Sequence, residues 1–161
     1  MGGPRSIGTF AAQDIRAWGV STDTGYTFDI SDWKVRLGLK ADAGSGDRNP
    51  NDGSLGTLNP LFLKLAYVNQ AAVLGPSNVV DLQLALSLMP TDNFKITVGY
   101  DFLRRATTAD AIYTGVGVPI LGTAGQPGRF TAGQLSVDRV WQLDRHVEVE
   151  LGYVHLEAAK S

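Results

Sequence analysis

Charged side chains recur at every second position in several stretches of the chain, and they are the residues best placed to bind a ligand. They share one side of each stretch and are Lys34, Arg36, Lys40, Asp42, Asp81, Lys95, Asp101, Glu148 and Glu150. Because successive side chains of a strand face opposite sides, this spacing collects the charges on one face of a sheet. If that face lines a channel, its cations form weak relay sites for anions. If it faces water, it is an ordinary wetted surface, and its mixed sign argues against a simple anion filter.

Catalytic chemistry has little support in the sequence. His146 lies at a turn and His155 near a strand end, with no Ser or Asp at motif spacing. The Gly44-Ser45-Gly46 stretch lacks the following Gly-Lys-Ser/Thr of a phosphate-binding loop. The sequence therefore predicts a protein that is not an enzyme and binds no cofactor.

One polar loop contains several closely spaced side chains with oxygen atoms, which are the ligands of calcium sites. The weak candidate ligands are Asp47, Asn49, Asn51 and Asp52. An EF-hand requires a bidentate Glu at the twelfth position, and Leu58 stands there instead. We expect no metal site and a turn held by its own Asp and Asn side chains, with a looser calcium loop as the alternative.

A hairpin from Val79 to Leu103 is the clearest structural element. Four leucines alternate with polar or small residues, and the alternation resumes in Phe94–Phe102 after Pro90–Asn93. Pro, Asp and Asn in this break predict a tight turn between two antiparallel strands. Each strand has about ten residues, enough to cross a bilayer when tilted.

Four further strands are predicted, from period-two stretches at 33–42, 130–143 and 146–156 and from a strand-like stretch at 10–28 whose two faces are poorly distinguished, which gives about six strands in all. Residues 1–9 are expected to be a loose lead-in, and residues 61–73 a short helix ended by Gly75-Pro76. We expect the long connections 44–77 and 106–129 at one end of the sheet, and the turns near 30, 92 and 144 at the other.

The composition limits the class of protein. The chain has 161 residues, enough for one domain, and its formal net charge of -2 predicts no general attraction to nucleic acid. It contains no cysteine, which excludes disulfides and thiolate metal sites.

Two all-β architectures fit these patterns. A soluble or secreted antiparallel sheet would bury its apolar face and could bind a ligand or partner, whereas an up-and-down transmembrane barrel turns that face to lipid. The alternation of short and long connections favours the barrel, as do aromatic residues at strand ends, namely Trp33, Phe94, Phe102, Trp141 and Tyr153. We therefore predict that Leu82, Leu84, Leu86, Ile96 and Val98 face lipid, while Lys34, Arg36, Lys95 and Asp101 face the interior.

Several motifs resemble the alginate-export family. They are the run Ala43–Gly53 with Gly56–Phe62, the Gly75–Asn78 stretch before a leucine-rich strand, and the closing Gln142–His146 and Gly152–His155 stretches. The resemblance implies a bacterial outer-membrane barrel that passes an anionic polysaccharide, or another solute, through a charged lumen. The charged-face cations would then be relay sites for carboxylate sugars.

The resemblance covers most of the chain from Trp33 onward and corresponds to the C-terminal part of larger barrels. About six strands are too few to close a barrel, and no final strand ends in an aromatic residue. We therefore expect residues 1–161 to form a single barrel segment. Further strands would come from a missing portion or from other copies, which would make the chain one protomer of a multi-chain barrel.

Overall fold

The computed structural model describes residues 5–10, 13–60 and 73–159. These residues form eight strands. They are β1 (Arg5–Phe10), β2 (Gln13–Ile30), β3 (Trp33–Gly44), β4 (Ser54–Leu55), β5 (Val79–Thr91), β6 (Phe94–Arg105), β7 (Phe130–Gln142) and β8 (Glu148–Ala158). The helix predicted for 61–73 lies, except for Val73, outside the described residues.

The strands form one antiparallel sheet in the order β1-β2-β3-β5-β6-β7-β8, and the short β4 pairs parallel to β2. The predicted all-β, up-and-down architecture is confirmed, and the described strands do not close into a barrel. In the described part of the chain, no helix is long and apolar enough to cross a membrane.

The expected strand number was too low, because β1 and β4 were missed. The lead-in expectation for residues 1–9 was wrong from Arg5 onward, since Arg5–Phe10 pairs with the first part of β2. Strand β2 extends past the end of β3, whose Gly44 pairs with Gly19. This extension takes β1 and β4 as its partners, and neither carries a long alternating pattern of its own.

From β2 onward, the connections between the long strands alternate between short and long, as predicted. Gly44 pairs with Val79, and Val79 pairs with Arg105, so the long connections 45–78 and 106–129 leave the same end of the sheet. We call it the loop end. The tight turns near 31, 92 and 144 lie at the opposite, turn end, where Ser31 adopts a left-handed φ of 55°.

The register keeps the alternation in phase across the strands. Lys40 pairs with Gln83, which pairs with Asp101, and the next position along β5, Leu84, pairs with Leu39. The predicted division into two faces is confirmed, with Leu82, Leu84, Leu86, Ile96 and Val98 on one face and Lys34, Arg36, Lys95 and Asp101 on the other. We call these the apolar face and the charged face. Leu84 is 53% exposed, whereas Asp101 is 0% exposed.

Aromatic residues mark both ends of the apolar face. Phe94 and Trp141 pack edge to face near the turn end, with ring centroids 6.3 Å apart. Tyr100 and Phe102 pack together nearer the loop end, with centroids 4.7 Å apart. Arg139 lies on this face two positions from Trp141, where an arginine is better tolerated than at the middle of a bilayer.

Candidate functional site: the charged face and its lid

All nine predicted site residues lie on the charged face. The register between the strands fixes the position of each residue between the loop end and the turn end. Asp42 pairs directly with Asp81 nearest the loop end. Lys40 and Asp101 follow one level lower, on either side of Gln83. The others lie in the middle of the sheet or near the turn end, and they are Arg36, Lys34, Lys95, Glu148 and Glu150.

The structure does not bring the nine residues together into one site. Lys95, Glu148 and Glu150 are exposed near the turn end, and Val140 of β7 separates Lys95 from Glu150 in the register. Their charges are therefore hydrated and widely spaced. The densest group of buried charges lies at the loop end instead.

Ion pairs neutralise the cations of β3 inside the charged face. Lys40 Nζ lies 3.3 Å from Asp42 Oδ2, and both side chains are nearly buried. Arg36 Nη2 lies 3.5 Å from Asp23 Oδ1, in a more exposed pair. A pair at this distance and exposure contributes little to stability and holds the Arg36 guanidinium only loosely.

A third pair fastens the turn end. Lys34 Nζ donates a hydrogen bond of 2.9 Å to Asp92 Oδ1 in the turn between β5 and β6. This hydrogen bond, together with the positive charge of Lys34, holds the pKa of Asp92 below its usual range. Both side chains are solvent-exposed, so the contact orients the turn and adds little stability.

A row of small residues crosses the charged face below the buried charges. The register aligns Gly25, Gly38, Ala85, Gly99 and Ser136. A Cβ on Gly25 would lie 2.7 Å from the guanidinium carbon of Arg36, so the glycine makes room for that side chain. Gly38 and Ala85 of this row line a shallow recess of about 110 Å³, which is bordered by Arg36 and Lys40.

A buried polar cluster lies between this row and the loop end. Asp101 accepts hydrogen bonds from the amides of Gln83, at 2.7 Å, and Gln134, at 3.0 Å. Asp42 accepts one from the hydroxyl of Ser21. Sequence reasoning missed these three partners as site residues, although Gln83 and Gln134 occupy polar positions of clearly alternating strands.

The two long connections fold over the charged face at the loop end, and we call their described parts, 45–60, 73–78 and 106–129, the lid. Leu74 and Ile112 of the lid pack against strand residues of that face. The strand residues are Val79, Leu103, Ala132 and Leu156. The principal buried apolar cluster of the described residues is therefore small, and it fixes the lid onto the charged face.

Asn78 joins the two halves of the lid. Its side-chain amide donates to the carbonyls of Thr107, at 3.0 Å, and Ala111, at 2.8 Å, and its Oδ1 accepts from the Thr107 amide at 2.8 Å. Asn78 is 2% exposed and has a left-handed φ of 52°, a conformation that asparagine tolerates better than most residues. A Cβ on Gly46 would overlap the Asn78 oxygen, so glycine is required there too.

Asp110 is a second junction of the lid. Its two carboxylate oxygens accept from the Asp47 amide, the Thr57 hydroxyl, the Ala111 amide and the Tyr113 hydroxyl, at 2.5–2.9 Å. Burial, together with the hydrogen bond to Asp110, raises the pKa of the Tyr113 hydroxyl. Tyr113 therefore keeps its proton, and this contact, to a higher pH than an exposed tyrosine would.

Arg105 holds the second half of the lid against β6. Its guanidinium donates to the carbonyls of Thr123, Gln126 and Gly128, at 2.5–2.8 Å. A buried guanidinium bound to backbone carbonyls fixes a loop without needing a matching acid. Arg105 was not among the predicted site residues, because strand alternation alone does not distinguish it from an exposed cation.

The candidate calcium loop is occupied by its own hydrogen bonds. Asp47 Oδ1 accepts from the Asn49 amide, and Asp52 Oδ1 accepts from the amide and hydroxyl of Ser54. These are the Asp- and Asn-held turns expected from the sequence. Among the residues that the structure describes, no group of three or more His, Asp or Glu side chains is arranged to hold a metal ion.

An antiparallel up-and-down sheet with one apolar face, one charged face and its long loops at one end has the architecture of a β-barrel wall. The model of the alginate export family matches residues 5–159, and the chain belongs to this family. The resemblance found in the sequence is thus confirmed. The family indicates polysaccharide export at the outer membrane, a transport function. Comparisons with curated proteins and with solved structures found no match.

Proposed function

We propose that this chain forms part of the wall of a bacterial outer-membrane channel that passes an anionic polysaccharide. The apolar face contacts lipid, and the charged face lines the lumen. The observation that carries this proposal is the inverted burial of the sheet. Leu84 and its neighbours are exposed on one face, while Asp81 and Asp101 are buried on the other.

A soluble or secreted binding module is the competing function. Such a sheet would have to cover its leucine-rich face with a second layer to bury it. No described segment packs over the apolar face, and the lid lies on the opposite one. The inverted burial therefore favours the channel over the soluble module.

The chemistry of the charged face suits a sugar chain that must bind weakly and move on. Arg36 and Lys40 border the recess, and Arg36 holds Asp23 only loosely. A uronate carboxylate could replace Asp23 at the guanidinium, while sugar hydroxyls meet Gln83 and Ser87. Weak, exchangeable contacts of this kind permit passage, whereas a tight anion site would retain the polymer.

Conductance of the assembled protein in planar bilayers tests this proposal. We expect alginate oligosaccharides to interrupt the current more often than neutral oligosaccharides of the same length. Arg36→Ala should reduce the frequency of these interruptions several-fold. Arg139→Ala is the matched control, because it removes an arginine from the apolar face and should leave the frequency unchanged. Equal interruption by both sugars, or no effect of Arg36→Ala, would contradict the proposed path.

We further propose that the sheet continues into a closed barrel. Among the described residues, Gly19–Ile30 of β2 pair only with β3, and β8 pairs only with β7. Both outer edges therefore leave backbone N–H and C=O groups without partners, and each such group costs several kcal/mol in hydrocarbon. Further strands of the parent chain, or of neighbouring copies, would satisfy these groups.

Native mass spectrometry of the protein extracted from membranes tests the closure. We expect either a polypeptide longer than residues 1–161 or an assembly of several copies. Loss of the assembly in low-detergent buffer should be accompanied by aggregation, because the free edges of β2 and β8 would then pair with other chains. A single 161-residue chain that is monomeric and stable in a bilayer would refute the proposal.

A further inference from the structure

Asp81 is the one carboxyl of the buried cluster that lacks a hydrogen-bond donor among the described residues. It is 1% exposed, and neither of its oxygens has a hydrogen-bond partner. A buried, ionised carboxylate without hydrogen-bond donors costs much more free energy than a buried, neutral carboxyl group without them. The groups that surround Asp81 therefore decide whether its carboxyl keeps its proton.

The donors around Asp81 are committed to the two other acids. Gln83 and Gln134 each donate to one oxygen of Asp101. Ser21 donates to Asp42, which is also paired with Lys40. Asp101 and Asp42 thus each accept hydrogen bonds from these side chains, and Asp81 accepts none.

The charged groups that face Asp81 come from both neighbouring strands. Lys40 and Asp42 lie on β3, and Asp101 lies on β6 with its carboxyl within hydrogen-bonding reach. The sheet register agrees with this contact, because Asp81 pairs with Leu103 and Asp101 pairs with Gln83, which makes the two acids diagonal neighbours on one face. Among the described residues, Lys40 is the one ammonium group of this cluster. Arg105, two positions beyond Leu103 on the same face, donates its guanidinium hydrogen bonds to carbonyls of the lid instead.

We propose that Asp81 retains its proton at neutral pH and donates it in a hydrogen bond to Asp101. The O–H of Asp81 is then the donor, and an Asp101 oxygen already oriented by a glutamine is the acceptor. The proton on Asp81 spares the buried cluster a further negative charge. This proton-binding site does not depend on which solute the channel carries.

The position of Asp81 links its proton to the lid. Val79, two positions earlier on the same face, and Leu103, its direct partner on β6, belong to the apolar cluster that holds the lid. When the pH rises far enough to remove the proton, a buried negative charge without a hydrogen-bond donor develops beside this cluster. The lid then loses part of its support, so its opening is expected to increase with pH.

Infrared spectroscopy of the assembled protein in detergent tests the proposal. The wild type should show the C=O stretching band of a protonated carboxyl at pH 7, and the band should disappear on alkaline titration. Asp81→Asn keeps the shape and can donate its amide to Asp101, so it should fold and lack the band. Asp42→Asn is the matched control and should retain it. Absence of the band in the wild type at pH 7, or its persistence in Asp81→Asn, would overturn the proposal.

A second measurement covers the case in which Asp81→Asn does not fold. Asp81→Glu keeps a carboxyl at the site, and its band should shift in frequency, whereas Asp42→Glu should leave the band where it was. A band that shifts with Asp42 and not with Asp81 would assign the proton to Asp42. Hydrogen exchange of the Ala106 and Thr107 amides should increase with pH more steeply in the wild type than in Asp81→Asn. Equal slopes would refute the link to the lid.

Discussion

Replacing Leu84 with Arg is expected to destabilise the membrane-embedded protein by about 2–4 kcal/mol. Leu84 lies in the middle of β5 on the apolar face, is 53% exposed, and pairs with Leu39 and Tyr100. In a lipid-facing sheet this position is far from both interfaces, so the guanidinium would lie in hydrocarbon. The free energy of unfolding from lipid vesicles, measured by denaturant titration, gives the cost.

Two control variants separate charge from packing. Leu84→Ala removes the same packing without adding a charge and should cost much less than Leu84→Arg. Ser87→Arg adds the same charge to β5 on the charged face and should also cost less. If Leu84→Arg is as stable as Ser87→Arg, the apolar face does not contact lipid.

Spin labels provide an independent test of the same assignment. A label at position 84 should collide often with oxygen dissolved in lipid, and a label at position 95 on the charged face should do so rarely. The reverse pattern would indicate a soluble protein that covers its leucines.

The second large effect is expected from Asn78→Ala in the lid. The substitution removes three buried hydrogen bonds, each with a net contribution of about 0.5–1.5 kcal/mol to stability. It also places alanine at a φ of 52°, which costs about 1 kcal/mol more. We expect a total loss of about 3–5 kcal/mol of local stability. Hydrogen exchange of the Thr107 amide, which donates to Asn78, measures it.

Asn93→Ala is the matched control for Asn78→Ala. Asn93 lies in an exposed turn and donates a longer bond of 3.3 Å to the carbonyl of Gln142, so its loss should stay within about 0.5 kcal/mol. Gly46→Ala should loosen the lid as Asn78→Ala does, because its Cβ would displace the Asn78 oxygen. If Thr107 remains protected in both lid variants, the two connections are held together by contacts other than Asn78.

The faces of the sheet were predictable from the sequence because strand alternation is local. Each of the strands from β3 onward, except the two-residue β4, shows a period of two, and that period alone assigns Leu84 to one face and Lys95 to the other. The alternation of short and long connections likewise placed the turns and the loops at opposite ends. The faces of strand β2 were harder to assign, because apolar residues occur on both of them: Ile15 and Ala17 on one, Trp18 and Val20 on the other.

The interior of the site was decided by tertiary structure. Asp81 and Glu150 occupy equivalent positions in an alternating pattern, yet Asp81 is buried and Glu150 is exposed. The difference arises because the lid folds over only the loop end of the charged face. That folding depends on contacts between residues far apart in sequence, such as Thr57 with Asp110 and Asn78 with Ala111.

The sequence by itself thus determined the secondary structure of the long strands, the two faces and the family. Only the tertiary structure decided which charges are paired, which carboxyl lacks a donor, and which connections form the lid. The physical reason is that side-chain alternation is set by neighbouring residues. Ion pairing and burial depend on the register between strands and on where the long connections come to rest.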